Sequence, residues 1–322
     1  MIKKLSELIE LEISKQNLPV NLPGLYDPIA YTLNLGGKRI RPLLTLLSAQ
    51  IFYPDASIAI KQALGIEIFH NFTLVHDDIM DNAPLRRGIK SVFKKWNVNT
   101  AILSGDVMFA LATENISLCE PLILPQVLKT FLQASIKVCE GQQMDMEFEY
   151  INQVHLRQYL EMIELKTAYL IAGGLKIGAI MGGASPDNAT KMFTYGLKIG
   201  TAFQLKDDYL DAFGDPEKFG KQVGGDILAG KKTYLYLKCV DKANEEDRKR
   251  LNEIYDAKKN REKKHIIEVK KLFSLYQIDI ELKEEMLKLI QSSKEVLQKV
   301  DGDEETKKEL INLTDRLTHR EN

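Results

Sequence analysis

Cysteine is scarce in this sequence, and its few copies are poorly spaced for metal binding. Only Cys119, Cys139 and Cys239 occur in 322 residues, and none stands in a CxxC pair or at another metal-ligand spacing. This spacing argues against a zinc module and against a disulfide framework. We therefore predict reduced core residues in a cytoplasmic protein.

Long uninterrupted hydrophobic runs are also missing. The most apolar window, YLIAGGLKIGAIMGGA at 169–184, is broken by Lys176 and by several glycines, so it predicts a buried helix and no transmembrane segment. The opening residues MIKKLSELIELEISK are amphipathic and charged. We therefore expect no signal peptide.

The chain has no excess of either charge. Lys and Arg total 44 against 45 Asp and Glu, a formal net charge of −1, so nothing in the overall balance indicates binding to nucleic acid or to an anionic membrane surface. The Walker A and GxGxxG phosphate motifs are absent as well. Any phosphate chemistry must therefore rest on local clusters of charge.

Alternating runs rich in Val, Ile and Thr are nearly absent, whereas apolar residues recur at i, i+3, i+4 and i+7. This periodicity predicts an all-α protein. Glycine and proline pairs divide the helices without forming a long linker, which favours one domain over 1–322. We interpret the charged amphipathic stretch 241–322 as an outer layer of the same helical bundle, rather than a separate module.

Two acidic motifs interrupt apolar stretches of the chain. HDDIMD at 76–81 and DDYLD at 207–211 each place aspartates at i, i+1 and i+4. On a helix turning about 100° per residue, Asp77 and Asp81 lie about 40° apart, and His70 lies about 20° from that line. His70, Asp77 and Asp81 should therefore share one face.

Carboxylates four residues apart repel each other on an isolated helix. Mg²⁺ would relieve this repulsion, because it binds one or two carboxylates and leaves its other positions to water and phosphate oxygens. A single DDxxD motif is also compatible with a helix end or a solvated face. Two copies in apolar surroundings favour a Mg²⁺ and diphosphate site, and an EF-hand is excluded because its glycine and distant Glu are missing.

Two clusters of basic residues are candidates for binding an anion. GGKRIRP places Lys38, Arg39 and Arg41 after a flexible double glycine at a helix start, where an anion is favoured. PLRRG places Arg86 and Arg87 directly after the first acidic motif, and the planar guanidinium suits phosphate. Each cluster alone could be a solvated surface, but their occurrence beside the acidic motifs favours anion binding.

Together these motifs resemble the trans-isoprenyl diphosphate synthases of the polyprenyl synthetase family. GGKRIRP, LVHDDIMDNAPLRRG, ELKTAYL, FQLKDDYLD and FGKQVGGDILAGKKT stand in that family's order, within residues 36–235. The resemblance implies an all-α isoprenoid synthase fold around a deep central cavity, usually in a homodimer. It also implies head-to-tail condensation of isopentenyl diphosphate with a dimethylallyl, geranyl or farnesyl diphosphate.

The resemblance assigns roles residue by residue. It implies that three Mg²⁺ ions are bound by Asp77, Asp81 and Asp207, with Asp78, Asp208 and Asp211 ligating or orienting them. The allylic diphosphate would be held by Arg86, Lys166, Lys221 and Lys231, and isopentenyl diphosphate by Lys38, Arg41, His70 and Arg87. Thr167 and Gln204 would turn oxygens toward the allylic cation. GKKTYLYLK lacks the proline that often follows this Thr in relatives, which leaves the choice between Lys231 and Lys232 open.

Residues before the first acidic motif should control product length. Phe72 and Phe69 lie five and eight positions before Asp77, roughly 7.5 and 12 Å along a helix axis, and Thr73, four positions before Asp77, is small. In the family, one aromatic at the fifth position without a second at the fourth goes with short products. We predict C20 or C15, with plain core roles as the alternative for both phenylalanines.

Other functions use some of the same residues. A terpene cyclase also carries DDxxD, but it needs no isopentenyl site, and GGKRIRP and the second Arg of LRRG argue against it. A non-catalytic synthase subunit usually loses one acidic motif, and both are intact here. A longer-chain synthase remains a further alternative, whereas a purely structural bundle would leave both acidic motifs unexplained.

Overall fold

The computed structural model describes residues 1–151, 153–215, 223–256 and 261–318. Within these ranges the chain is almost wholly helical, which confirms the all-α fold class. The α-helices are α1 (Ile2–Ser14), α2 (Pro23–Leu33), α3 (Ile40–Phe52), α4 (Ile60–Met80), α5 (Val92–Lys95), α6 (Val98–Ser117), α7 (Leu124–Phe148), α8 (Leu156–Ile163), α9 (Tyr169–Met181), α10 (Pro186–Phe213), α11 (Gly225–Ala229), α12 (Tyr234–Lys242), α13 (Glu245–Tyr255), α14 (Lys263–Leu275), α15 (Ile278–Gln298) and α16 (Glu304–Thr318).

Three short elements complete the description. A 3₁₀ turn covers Ala56–Ala59, and a π-helical turn, Glu164–Ala168, joins α8 to α9. Strands β1 (Leu85–Arg86) and β2 (Ile89–Lys90) form a minimal antiparallel hairpin. The hairpin follows α4 directly, so it carries the basic residues that come after the first acidic motif.

The chain divides into two compact units. Unit 1 comprises Met1–Gln133, Gly173–Phe193 and Val300–Leu310, and unit 2 comprises Ala134–Ala172, Thr194–Lys299 and Ile311–Asn322. Each unit draws on distant parts of the chain, and the first and second acidic motifs fall in different units. The single domain over 1–322 and its deep central cavity stay predictions.

Helix α4 forms the centre of unit 1, where it packs against α3 and α6. Its middle is buried on all sides: Ile66, Ile68 and Phe69 are each fully buried, and the charged Glu67 between them is only 2% exposed. Gly65 brings α6 close, because a Cβ at this position would lie 2.8 Å from Ile116. A helix surrounded in this way belongs in a core, and this surrounding fixes the acidic end of α4.

Helix α9 is the buried helix predicted from the apolar window. Three glycines spaced by four residues face α3: Gly174 and Gly178 on α9, and Gly182 directly after it. The helices approach so closely that a Cβ at Gly178 would lie 2.1 Å from the carbonyl oxygen of Thr45. Among the helices described, none is long and apolar enough to cross a membrane.

Unit 2 has its own hydrophobic core, which helices from the charged stretch 241–322 help to build. Leu251, Val269, Phe273 and Leu282 are buried there on α13, α14 and α15. These helices are charged on one side and apolar on the other, as their amphipathic pattern predicts. Residues 300–310 of the same stretch belong to unit 1.

None of the three cysteines forms a disulfide, and only one is a core residue. Cys239 is buried, Cys119 is partly exposed and Cys139 is exposed. The core prediction is therefore correct for Cys239 and wrong for Cys139, which lies on the outward face of α7. An isolated cysteine gives no periodic signal that would distinguish these positions.

Candidate active site

The first acidic motif lies at the C-terminal end of α4. Asp77 is in the last turn and half-buried, while Asp81 is exposed and caps the helix, its N–H donating to the Asp77 carbonyl at 2.8 Å. The C-terminal end of a helix carries partial negative charge. This charge adds to that of the carboxylates, so the position favours a bound cation.

Asp78 differs from its neighbours because it is buried and already paired. It is 3% exposed, and one of its oxygens accepts from Nε of Arg86 at 2.9 Å and from Nη2 at 2.5 Å. Burial raises the pKa of Asp78, although the Arg86 charge opposes this shift. The pair anchors Arg86, and with it the hairpin, to the acidic end of α4.

Arg87 occupies the hairpin turn in a left-handed conformation, with φ of 53°, beside Gly88. Its guanidinium donates to the Gly36 carbonyl and lies where a Cβ on Gly37 would be, at 2.8 Å. Gly37 has φ of 135°, so both its backbone and its neighbour require glycine. The GGKRIRP loop and the second Arg of LRRG are thus in direct contact.

The same loop reaches α4 through Arg41 and His70. Nη1 of Arg41 lies 3.1 Å from Nε2 of His70, and because Arg can only donate, this nitrogen must accept. Burial lowers the pKa of His70 well below its usual range, and the charge of Arg41 lowers it further. His70 is therefore neutral and orients Arg41, while Lys38 in the loop is exposed.

The second acidic motif lies near the end of α10 in unit 2. Asp207 is half-buried, whereas Asp208 is 4% exposed and accepts hydrogen bonds from the Tyr159 hydroxyl and, at 3.3 Å, from Nε2 of Gln204. Burial raises the pKa of Asp208 well above its usual range, and the nearby charge of Asp226 adds to this rise. In each motif the middle aspartate is thus the buried one.

Lys166 and Thr167 lie in the π-helical turn, a feature that is frequent at functional sites. Nζ of Lys166 donates to Asp145 of α7 at 2.6 Å, and the Thr167 hydroxyl donates to Oε1 of Gln204 at 2.9 Å. The two adjacent residues therefore contact different helices. That Thr167 and Gln204 face an allylic cation stays a prediction.

Asp211 ties α10 to the glycine-rich segment that follows it. Its side chain accepts from the Asp226 N–H at 3.0 Å, and its carbonyl accepts from the Gly224 N–H at 2.6 Å. The segment thereby closes a cavity within unit 2. The polar residues that line this cavity are Asp145, Glu149, Tyr159, Lys166, Thr167, Gln204, Asp208, Asp226, Lys231, Lys232 and Thr233.

The two adjacent lysines of GKKT have different surroundings. Nζ of Lys232 donates to the carbonyl oxygens of Phe148 at 2.7 Å and Ile151 at 2.5 Å, so it caps the end of α7. Lys231 lines the same cavity, and its assignment to the diphosphate stays a prediction. Lys221, the other lysine assigned to that group, lies outside the described residues.

Sequence reasoning did not identify three residues of this cavity. Asp145 binds Lys166, Tyr159 binds Asp208, and Asp226 contacts Asp211. Asp226 stands within the quoted motif FGKQVGGDILAGKKT, which could have suggested a role. Asp145 and Tyr159 carry no comparable signal, because single polar residues on amphipathic helices are common.

The residues fit Mg²⁺ only as an ion shared with phosphate. Among the residues described, no three or more His, Cys, Asp or Glu side chains form a cluster that could hold an ion alone. Mg²⁺ in phosphate sites is commonly held by one or two carboxylates, with waters and phosphate oxygens completing its shell. Asp77, Asp81 and Asp207 are carboxylates of the kind that this mode requires.

An aromatic cluster surrounds the residues expected to control product length. The ring of Phe69 lies 5.4 Å from those of Phe72 and Phe131 and 5.9 Å from Phe109. Phe69 is fully buried, whereas Phe72 is only partly so, and the Thr73 hydroxyl donates to the His70 carbonyl at 2.8 Å. Phe109 and Phe131, on α6 and α7, are contributions that the sequence did not suggest.

Comparison with known proteins agrees with these features. The polyprenyl synthetase family model matches residues 23–273. A short chain isoprenyl diphosphate synthase of Methanothermobacter thermautotrophicus is 41% identical over 252 residues, covering 78% of each chain. A geranylgeranyl pyrophosphate synthase of Geoglobus acetivorans is 36% identical over 321 residues, covering 99% of this chain and 97% of that one.

Solved structures give the same result. A crystal structure of a geranylgeranyl pyrophosphate synthase superposes with a TM-score of 0.94 at 40% identity, covering 99% of both chains. The chain belongs to the polyprenyl synthetase family. It is a trans-prenyltransferase, as its motifs predicted.

Proposed function

We propose that this enzyme condenses isopentenyl diphosphate with an allylic diphosphate (dimethylallyl, geranyl or farnesyl), head to tail, to give a C20 or C15 product. One observation carries this proposal. Arg41, His70 and Arg87 are held together around the GGKRIRP loop in unit 1, and Lys166 and Lys231 line a cavity in unit 2. A condensation needs two anion sites, whereas an enzyme that only ionises one allylic diphosphate needs one.

The allylic diphosphate is assigned to the residues with the strongest link to the acidic motifs. Arg86 is bonded to Asp78, and Lys166 and Lys231 line the cavity that contains Asp208. Preorganised cations of this kind stabilise charge as it develops on a leaving group. They would neutralise the diphosphate while the carbon–oxygen bond ionises.

Mg²⁺, three ions by the family's pattern, would supply additional positive charge to the departing diphosphate. Asp77, Asp81 and Asp207 would hold these ions, with Asp78, Asp208 and Asp211 orienting them. The hydrogen bonds of Asp78 with Arg86 and of Asp208 with Tyr159 favour the orienting role for these two residues. Their oxygens are partly engaged by the protein itself.

Isopentenyl diphosphate is assigned to the loop residues of unit 1. Lys38, Arg41 and Arg87 would bind its phosphates, and neutral His70 would keep Arg41 in place. This fixes the double bond beside the allylic cation, which gives most of the advantage of an intramolecular reaction. No protein base is conspicuous beside the motifs, so the released diphosphate is the proposed proton acceptor.

The aromatic cluster supports a short product. Phe72 is the partly exposed member of that cluster nearest to Asp77, so a growing chain would meet it before the buried Phe69. A longer product would need this ring to move aside. The neighbouring Thr73 is small and would leave room beside this ring.

We further propose a cytoplasmic homodimer. Ile102 and Leu103 on α6 are 41% and 57% exposed, and an apolar helix face of this kind suits association with a second copy. Three cysteines that form no disulfide fit a reducing compartment. Sedimentation at several protein concentrations would test the dimer.

The reaction is tested by incubating the purified protein with Mg²⁺, isopentenyl diphosphate and, separately, the C5, C10 and C15 allylic diphosphates. Mass spectrometry of the dephosphorylated alcohols should give one dominant C20 or C15 alcohol. Cyclic hydrocarbon formed without isopentenyl diphosphate would instead identify a terpene cyclase. No turnover with any primer would favour a non-catalytic subunit.

A further inference from the structure

Arg39 is the one basic residue of GGKRIRP that the structure buries. It is 6% exposed, and its three guanidinium nitrogens each bind a different element. Nε donates to Glu10 of α1 at 3.0 Å, Nη1 to Glu67 of α4 at 2.8 Å, and Nη2 to the Leu33 carbonyl at the end of α2 at 2.6 Å. Arg39 itself precedes α3, so four helices meet at one side chain.

Its backbone is unusual as well. Arg39 has φ of 46° and ψ of 39°, a left-handed conformation that costs free energy for any residue with a Cβ. Such a conformation persists only where surrounding contacts enforce it. Here the contacts are those of the guanidinium, because its three partners fix the side chain and thereby the turn.

The turn decides where the neighbouring basic residues lie. Lys38 and Arg41 flank Arg39 in the chain, and Arg41 reaches His70, which follows Glu67 by one helical turn on α4. Glu67 is itself fixed, since its Oε1 also accepts from Asn71 Nδ2 at 3.1 Å. The Arg39–Glu67 pair and the Arg41–His70 pair therefore join the loop to α4 at two adjacent points.

The pair also acts on the charge of Arg87. Burial lowers the pKa of Arg87, and the negative charge of Glu67 opposes that shift. Glu67 therefore stabilises the guanidinium of Arg87, which stays charged in any case. Because the nitrogens of Arg39 are engaged by protein groups, its effect on an anion must pass through Lys38, Arg41 and Arg87.

We propose that the buried Arg39–Glu67 ion pair is a positioning device that sets the affinity of the GGKRIRP loop for isopentenyl diphosphate. This inference rests on the proposed function and adds to it a residue pair that does not touch the substrate. Affinity for the allylic diphosphate, assigned to other residues, should be almost independent of the pair.

The test compares Arg39→Met, Glu67→Gln and the double variant Arg39→Met/Glu67→Met with the wild type. Breaking a buried pair leaves an uncompensated charge and destabilises a protein, whereas removing both charges often does not. The double variant should therefore recover thermal stability. Its KM for isopentenyl diphosphate should nevertheless stay raised about tenfold, with the KM for the allylic substrate changed less than about twofold.

Two further variants sharpen the comparison. Glu10→Gln removes the exposed partner of the same guanidinium, since Glu10 is 53% exposed, and it should leave both KM values unchanged. Arg39→Lys keeps the charge without the planar fork, so it should fall between the wild type and Arg39→Met. Calorimetric titration with isopentenyl diphosphate alone would measure binding independently of turnover.

The outcomes separate the two proposals. A wild-type protein that neither binds nor consumes isopentenyl diphosphate would overturn the proposed function together with this inference. A wild type that turns over, with a double variant whose KM returns to normal, would overturn only the positioning role. The same would follow if both KM values rose together, because a general loss of structure affects both sites.

Discussion

Lys232 caps the end of α7 by donating to the Phe148 carbonyl at 2.7 Å. In the sequence it was one of two lysines of GKKT that could bind the diphosphate. Burial lowers its pKa, and the nearby charge of Arg261 lowers it further. The adjacent Lys231 lines the candidate diphosphate cavity. We therefore propose a structural role for Lys232 and keep the diphosphate-binding role of Lys231 as a prediction.

Lys231→Ala and Lys232→Ala should therefore fail in different ways. Lys231→Ala should raise the KM for the allylic diphosphate about ten- to hundredfold, the equivalent of one charge-assisted hydrogen bond. Lys232→Ala should mainly lower stability, by about 1–2 kcal/mol, because the partly buried Phe148 carbonyl and the exposed Ile151 carbonyl lose their donor. Steady-state kinetics and thermal unfolding of both variants measure the two effects. A raised KM in Lys232→Ala with a loss of stability in Lys231→Ala would contradict the prediction.

Asp77→Ala and Asp207→Ala should each lose most turnover while the protein stays folded. Loss of one preorganised contact to developing charge costs about 3–4 kcal/mol of barrier, roughly a hundred- to a thousandfold in kcat. Asp187→Ala is a matched control on α10, because this aspartate is 76% exposed in a surface pair with Lys191. Near wild-type turnover in either motif variant, measured with circular dichroism as a folding check, would contradict the metal assignment.

Phe72→Ala should lengthen the product by one or more isoprene units, because the partly exposed ring no longer blocks the growing chain. Phe69→Ala provides the comparison. Its side chain is fully buried, so its loss should destabilise the protein by about 3–5 kcal/mol and leave product length unchanged. Mass spectrometry of the alcohols measures the length, and an unchanged product from Phe72→Ala would place the end of the tunnel elsewhere.

The core of unit 2 should weaken at alkaline pH. Burial raises the pKa of Cys239 from 9.0 to about 12, so the folded protein keeps a proton that the unfolded chain releases. The stability from this group is complete below pH 9 and is lost as pH rises toward 12, by up to about 1.4 kcal/mol per pH unit. The free energy of unfolding, measured with urea at pH 8 to 11, should depend less steeply on pH in Cys239→Ala than in the wild type. Identical slopes for the two proteins would show that Cys239 does not cause the alkaline loss of stability.

Much of the candidate site could be predicted because its spacing is local. Asp77 lies in the last turn of α4 and Asp81 caps that helix, and the apolar window 169–184 contains the buried helix α9. The resemblance of five motifs to one family then gave the enzyme class. Short-range spacing and motif order are visible in a single sequence.

The partners of the charged residues could not be predicted in this way. Arg39 looked like one of three basic residues in an exposed loop, and its burial depends on Glu67, 28 positions away. The pairing of Lys166 with Asp145 likewise joins two helices that the sequence does not align. These contacts depend on tertiary packing, which a local sequence pattern does not reveal.

The glycine stripe of α9 gives the loop an indirect dependence on residues that lie well away from it in the chain. A methyl group at Gly178 would collide with the backbone of Thr45, and the Thr45 hydroxyl donates to the Arg41 carbonyl at 3.1 Å. Protein cores transmit such small displacements because they are close-packed. Substitutions along the contacts that run from α9 through α3 to the loop should therefore impair this enzyme. Distance from the substrate alone will not predict which positions tolerate substitution.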